Sequence, residues 1–149
     1  MDDMDVCANI WQSMYRSTIE EYSGAIKKLA ETLLSILSEY LDLHPTRLQE
    51  AIGELYQNIN FGYYPPCPQS ENVQGMASHS DYGALTILWQ NEVNGLQVRK
   101  SGKWIMVKPT VPGALIVNAG DTLEVISTDD KTWVFLRKSI DCWMVILFK

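Results

Sequence analysis

Between Ile19 and Tyr40 apolar side chains recur at alternating three- and four-residue steps: Ile19, Tyr22, Ile26, Leu29, Leu33, Ile36 and Tyr40. This spacing places them on one face of an α-helix. Ser17 followed by Glu20 has the spacing of a capping box, with Ser13 as an earlier alternative start. Pro45 disfavours helical geometry at His44, so the helix is expected to end near Leu43. Thr46 is the expected N-cap of a short second helix that Gly53 stops. The apolar pattern lasts only about three heptads, short for a coiled-coil seam, so the helix is expected to pack on its own domain.

From Gln57 onward the period changes. Short runs rich in Ile, Val, Tyr, Trp and Thr alternate with Gly, Pro and Asn, which marks an all-β sandwich or barrel. The expected strands are Gln57–Tyr63, Met76–Ser80, Leu85–Gln90, Leu96–Arg99, Trp104–Val107, Ala114–Asn118 and Leu123–Ser127. Ser101-Gly102 should turn a hairpin. Pro65-Pro66-Cys67-Pro68 can enter neither a helix interior nor a central strand and reads as a rigid loop.

Composition narrows the class. The chain has 149 residues, 46% hydrophobic and 20% charged, enough for a globular domain that buries roughly 70% of its unfolded surface. A net charge of -6 disfavours non-specific binding to nucleic acid or to an anionic membrane. No stretch approaches the ~20 apolar residues of a membrane span. The acidic start, Met1-Asp2-Asp3-Met4-Asp5, has no apolar signal region. Cys7, Cys67 and Cys142 are odd in number and form no Cys-x-x-Cys, against both a disulfide framework and a zinc site. Reduced thiols and a cytoplasmic location are expected.

The candidate chemistry lies in His79-Ser80-Asp81. In an extended chain residues i and i+2 face the same way, so the imidazole of His79 and the carboxylate of Asp81 can meet at one point. A neutral imidazole with a carboxylate suits a divalent transition metal, and two such ligands begin the facial triad of non-haem Fe(II) oxygenases. The bland alternative is a solvated surface pair. The triad needs a second histidine downstream. The other histidine here, His44, lies upstream at a helix end and reads as a surface residue. Asn118 and Gly120-Asp121 read as a turn closing two strands, with Asp121 capping local amides.

The setting of the pair is informative. Tyr63-Tyr64-Pro65-Pro66-Cys67-Pro68-Gln69 precedes it, Gly83-Ala84-Leu85-Thr86-Ile87-Leu88 and Asn94-Gly95-Leu96-Gln97-Val98 follow, and Gly102-Lys103-Trp104 and Pro112 to Glu124 come next. In this order the series resembles the plant-type 2-oxoglutarate- and Fe(II)-dependent dioxygenases of the isopenicillin-N-synthase-like superfamily. The match is close from Gly62 to Ser127 and looser back to Trp11. The resemblance implies an α+β fold in which an N-terminal helix packs on a double-stranded β-helix, the cupin-like jelly roll, incomplete at the C-terminus. The implied organisation is a helical segment over 1–53, a jelly-roll core over 54–127 and a divergent tail over 128–149.

The resemblance further implies Fe(II) held by His79 and Asp81, 2-oxoglutarate as cosubstrate, ascorbate in assays, and oxidation by O₂ of a small metabolite such as a flavonoid, hormone or alkaloid. A monomer is expected. Tyr64 stands where the family's tyrosine meets the distal carboxylate of 2-oxoglutarate, although a tyrosine filling core is an equal reading. Gly62 stands where the family often has asparagine. After Ser127 the pattern departs. The family histidine would fall near Leu136 and its Arg-x-Ser near Ile146 to Phe148; neither is present. Arg137-Lys138-Ser139 spells Arg-x-Ser earlier than that spacing expects, which makes Arg137 and Ser139 secondary candidates for the cosubstrate carboxylate. Trp133–Leu136 and Trp143–Phe148 are expected to pair poorly, or only in part, with the barrel, as in a truncated or alternatively read product, although the apolar run from Trp143 could equally supply one last barrel strand. A non-catalytic binding or interaction protein, or a degenerate fragment, is the alternative function.

Overall fold

The computed structural model describes residues 3–69, 72–91, 93–108, 111–126 and 141–147, with side chains between residues 14 and 124. The chain divides into two compact units, Met1–Glu50 with Leu55–Asn58, and Ala51–Glu54 with Ile59–Lys149.

The first unit is built on helix α1, Asp3–Tyr40. It begins well before Ser13 and Ser17. No glycine or proline interrupts residues 3–23, and Asp3 and Asp5 stand at the end where the helix dipole favours negative charge. It also ends earlier than Leu43. Asp42 takes a left-handed φ of 56°, its N–H donates to Glu39 O (3.0 Å), and Leu43 N–H donates to Ser38 O (2.9 Å). These are the two bonds of a Schellman motif, so the helix is stopped by its own C-cap before the proline acts.

The buried stripe is rotated from the expected one. Leu34, Ser38 and Leu41 are buried, whereas Ile36 and Tyr40 are 56% and 63% exposed. Helix α2, Arg47–Ile52, meets α1 at this stripe, and its Leu48 is also buried. Ser38 Oγ donates to Leu34 O (2.8 Å) and accepts Leu48 N–H (3.2 Å). A buried hydroxyl thus supplies one of the partners that the first amides of α2 lack within their own helix. Thr46 and Gly53 bound α2 where expected, with Glu50 N–H donating to Thr46 O (2.9 Å) and Gly53 at φ 78°, but the Thr46 hydroxyl donates to the Glu50 carboxylate instead of capping an amide, and Ser38 takes Leu48 N–H in its place.

The second unit holds two sheets. Strands β1 (Gln74–His79), β3 (Leu96–Lys100), β4 (Lys103–Met106) and β6 (Asp141–Leu147) form one, in the order β1-β6-β3-β4. Strands β2 (Leu85–Leu88) and β5 (Ile116–Ala119) form the other. The arrangement is a jelly roll, with Leu96 and Leu123 its most buried apolar residues. Ser101 (φ 50°) and Gly102 (φ 77°) turn the β3–β4 hairpin. Two successive left-handed residues match the right-handed twist of the flanking strands.

Three expectations fail here. Gln57–Tyr63 forms no strand; Phe61 and Tyr63 are 81% and 86% exposed, and no neighbouring strand takes up the backbone of this stretch. Leu123–Ile126, the described part of the expected strand Leu123–Ser127, is not a strand either. Asp121–Ile126 is a short helix, α3, in which Leu123 N–H and Glu124 N–H both donate to Gly120 O (3.1 and 3.3 Å). The tail segment Trp143–Leu147 pairs more fully than expected: it lies in β6, antiparallel to β1 on one side and to β3 on the other, with register shifts in both ladders. An apolar run can find a partner on each edge whatever its match to a family pattern. Trp133–Leu136 lies outside the described residues. Among the described residues no helix is long and apolar enough to cross a membrane.

Candidate metal centre

His79 is the last residue of β1 and pairs with Met144 of β6. Ser80 to Ala84 then carry the chain to β2, in the other sheet. The candidate pair therefore sits where the chain leaves one sheet for the other. His79 Nε2 lies 3.3 Å from Asp81 Oδ1, so the two side chains converge as the i, i+2 spacing requires.

The other ring nitrogen fixes the tautomer that a neutral imidazole takes here. His79 Nδ1 is 2.8 Å from Ala77 O. A carbonyl only accepts, so Nδ1 carries the proton and donates. In the neutral ring Nε2 then presents a lone pair to Asp81 Oδ1. Two acceptors at this distance need a proton or a cation between them. Two donor atoms of one ion, each about 2.1 Å from it and 3.3 Å apart, subtend about 100°, near the right angle of adjacent octahedral positions. A backbone carbonyl on the far nitrogen is also the usual way in which a metal-binding imidazole is oriented. The pair fits two adjacent ligand positions of a divalent metal. The side chains are 36% exposed for His79 and 16% for Asp81, so the site opens toward solvent on the imidazole side.

Two hydrogen bonds hold Asp81 and a third holds its neighbour. Asn118 Nδ2 donates to its Oδ2 (2.9 Å), and Asp121 N–H donates to its backbone carbonyl (2.7 Å). Its neighbour Ser80 donates through Oγ to Asp121 Oδ2 (2.9 Å). The expected role of Asp121 as a cap of local amides is replaced by this long-range tie. The Asn118–Asp121 stretch closes β5 onto a helix and not onto another strand. Asn118, read from the sequence only as part of a turn closing two strands, is the contributor whose role the pattern of the chain did not show. Its one signal is its place beside the Gly120-Asp121 turn, and nothing local places it against Asp81.

The remaining candidates are dispersed. Tyr64 is half-buried, its ring laid over Gly62 so closely that a β-carbon there would stand 3.0 Å from it. The asparagine that the family often carries at this position would displace the ring. His44 is exposed and bonds Thr46 Oγ1 (2.9 Å), a helix-end role. Arg137 and Ser139 lie outside the described residues, as does Leu136. Among the described residues no third His, Cys, Asp or Glu joins His79 and Asp81.

Comparison with known proteins identifies the family. A sequence model of the 2OG-Fe(II) oxygenase superfamily matches residues 54–140, running past Ser127. Oxoglutarate-dependent flavonoid 7-O-demethylase 1 of Ocimum basilicum is 44% identical over 117 residues, 78% of this chain and 31% of the demethylase. Codeine O-demethylase of Papaver somniferum is 44% identical over 115 residues, 76% of this chain and 32% of that protein. The crystal structure of JOX2 in complex with 2OG, Fe and JA superimposes with a TM-score of 0.71 at 33% identity, covering 90% of this chain and 38% of JOX2. The chain spans about a third of the length of the curated relatives it matches. It belongs to the 2OG-Fe(II) oxygenase superfamily.

Proposed function

We propose that this 2OG-Fe(II) oxygenase chain carries the metal-binding core of a dioxygenase that oxidises a small plant-type metabolite, with His79 and Asp81 as two of the metal ligands. The observation that carries the proposal is the 3.3 Å approach of His79 Nε2 to Asp81 Oδ1 with Nδ1 tied to Ala77 O. When bound, Fe(II) with 2-oxoglutarate and O₂ supplies the oxidising power, coupling decarboxylation of the cosubstrate to oxidation of the substrate. The protein's part is to hold, orient and exclude. Ala77 O keeps the lone pair of Nε2 aimed at the site, and the Asp81 carboxylate offsets part of the metal charge. Tyr64 would be the residue to offer a hydroxyl to the distal carboxylate of 2-oxoglutarate, and Arg137 and Ser139, which lie outside the described residues, would be the secondary candidates for the same carboxylate. The class of substrate is supported by relatives named for flavonoid and alkaloid O-demethylation. The net charge of -6 accords with a monomer without nucleic-acid or membrane partners, and the three widely spaced cysteines with a cytoplasmic location.

A second reading, metal binding without turnover, is favoured by one observation: among the described residues the site offers two protein ligands and not three. Succinate release from 2-oxoglutarate with Fe(II) and ascorbate, measured without substrate as uncoupled turnover, separates the two. Release that is lost in both His79→Ala and Asp81→Ala establishes the enzyme. Tight Fe(II) binding that needs both residues, with no succinate formed, establishes the second reading. Fe(II) binding indifferent to both substitutions overturns the site.

A further inference from the structure

The two carboxylate oxygens of Asp81 are not equivalent. Oδ1 faces His79 Nε2 at 3.3 Å, while Oδ2 accepts the amide N–H of Asn118 at 2.9 Å. Asn118 stands on β5 opposite Thr86 of β2, in the sheet to which His79 does not belong. The orientation of its amide follows from chemistry. An ionised carboxylate only accepts, so the nitrogen must point at Asp81 and the amide oxygen must point away. That oxygen is buried with no hydrogen-bond partner among the described residues. Leaving a buried acceptor unsatisfied is unfavourable, so the bond to Asp81 is held at a cost that a side chain serving only to join strands need not bear.

The rest of the β5–α3 junction grips the backbone of the same loop. The carbonyls of Asp81, Gly83 and Ala84 accept the N–H groups of Asp121 (2.7 Å), Thr122 (3.3 Å) and Gly120 (2.9 Å), and Tyr82 O accepts Thr122 Oγ1 (2.7 Å). Four consecutive carbonyls are thus anchored, which fixes where the Asp81 side chain starts. Asn118 then decides which way it turns.

We propose that Asn118 is a positioning residue that occupies Oδ2 of Asp81 and so reserves Oδ1 alone for the metal. The inference rests on His79 and Asp81 being metal ligands. Without the Asn118 amide the carboxylate is free to rotate about its last torsion and to offer both oxygens, or neither, to the ion. Ligand-orienting partners of this kind are typically worth about 10–100-fold in metal affinity.

The test is Co(II) titration of the full 149-residue chain, followed by visible absorption, with the melting temperature of the metal-free protein measured in parallel. Asn118→Ala should raise the Co(II) dissociation constant by about 10–100-fold and shift the position and intensity of the ligand-field bands in the folded protein. Asn118→Thr, which suits a strand but cannot reach Oδ2, should do the same and serves if the alanine variant does not fold. A purely structural role would lower the melting temperature and leave the affinity and the bands of the folded protein unchanged. That result overturns the proposal, provided His79→Ala still abolishes binding. If His79→Ala and Asp81→Ala bind Co(II) as the unaltered chain does, the metal-site reading itself fails, and this inference with it.

Discussion

Gly120 is the position where one added methyl group should do most harm. A β-carbon there would overlap Gly83 O and stand 2.6 Å from Asp81 O. An ordinary carbon–oxygen contact needs about 3.3 Å or more, so even the milder clash must be relieved by about 0.7 Å. Both obstacles are backbone atoms, and no rotamer change can clear them. The strand end or the loop must shift, which as overpacking costs about 1–3 kcal/mol. The shift also lengthens two hydrogen bonds that cross this contact, Gly120 N–H to Ala84 O and Asp121 N–H to Asp81 O, each contributing about 0.5–1.5 kcal/mol. Gly120→Ala should therefore destabilise by about 4 kcal/mol, a large part of the roughly 5–15 kcal/mol that holds a domain folded. In urea denaturation this is a midpoint lowered by about 2 M at a slope of about 2 kcal/mol/M. Gly24→Ala is the matched control. Gly24 lies within α1 with nothing within 4 Å of its β-carbon position, so alanine there should stabilise by about 0.5–1 kcal/mol. A Gly120→Ala midpoint within about 0.5 kcal/mol of the unaltered chain would refute the reasoning, because it would mean that the β5–α3 junction does not press on the Asp81 loop.

Two further predictions concern the helical unit. Ser38→Ala should cost about 1–3 kcal/mol in chemical denaturation, because it leaves the buried Leu48 N–H without its acceptor; a neutral result would show that another acceptor takes over. Asp42→Gly should stabilise by about 0.5–1 kcal/mol, read as a raised melting temperature, since glycine carries no β-carbon penalty at a φ of 56°.

Much of the local structure was legible along the chain. The i, i+2 spacing of His79 and Asp81 was enough to predict their convergence, since the alternation of an extended backbone is a property of the chain itself. The same is true of the Ser101-Gly102 turn and of the Thr46 to Gly53 bounds of α2, where the φ angles and caps that a residue can supply are local matters. The family was legible too, because its motif series lies in consecutive short segments.

What failed was decided by partners distant in sequence. Leu123–Ile126 contains residues that suit a strand, but Gly120 O accepts two helical N–H groups and no neighbouring strand was available, so the segment became α3. The buried stripe of α1 runs through Leu34 and Ser38, where Ser38 takes up Leu48 N–H, and not along the expected apolar face. Trp143–Leu147 found two strands to pair with, although its pattern had departed from the family's. Asn118 acquired its role only because β5 lies beside β2 and brings its amide 2.9 Å from a carboxylate 37 residues earlier. Propensity and periodicity act over a few residues, whereas a hydrogen bond between sheets depends on how the whole chain closes. The metal-binding pair could therefore be read from the sequence, and the residues that aim it could not.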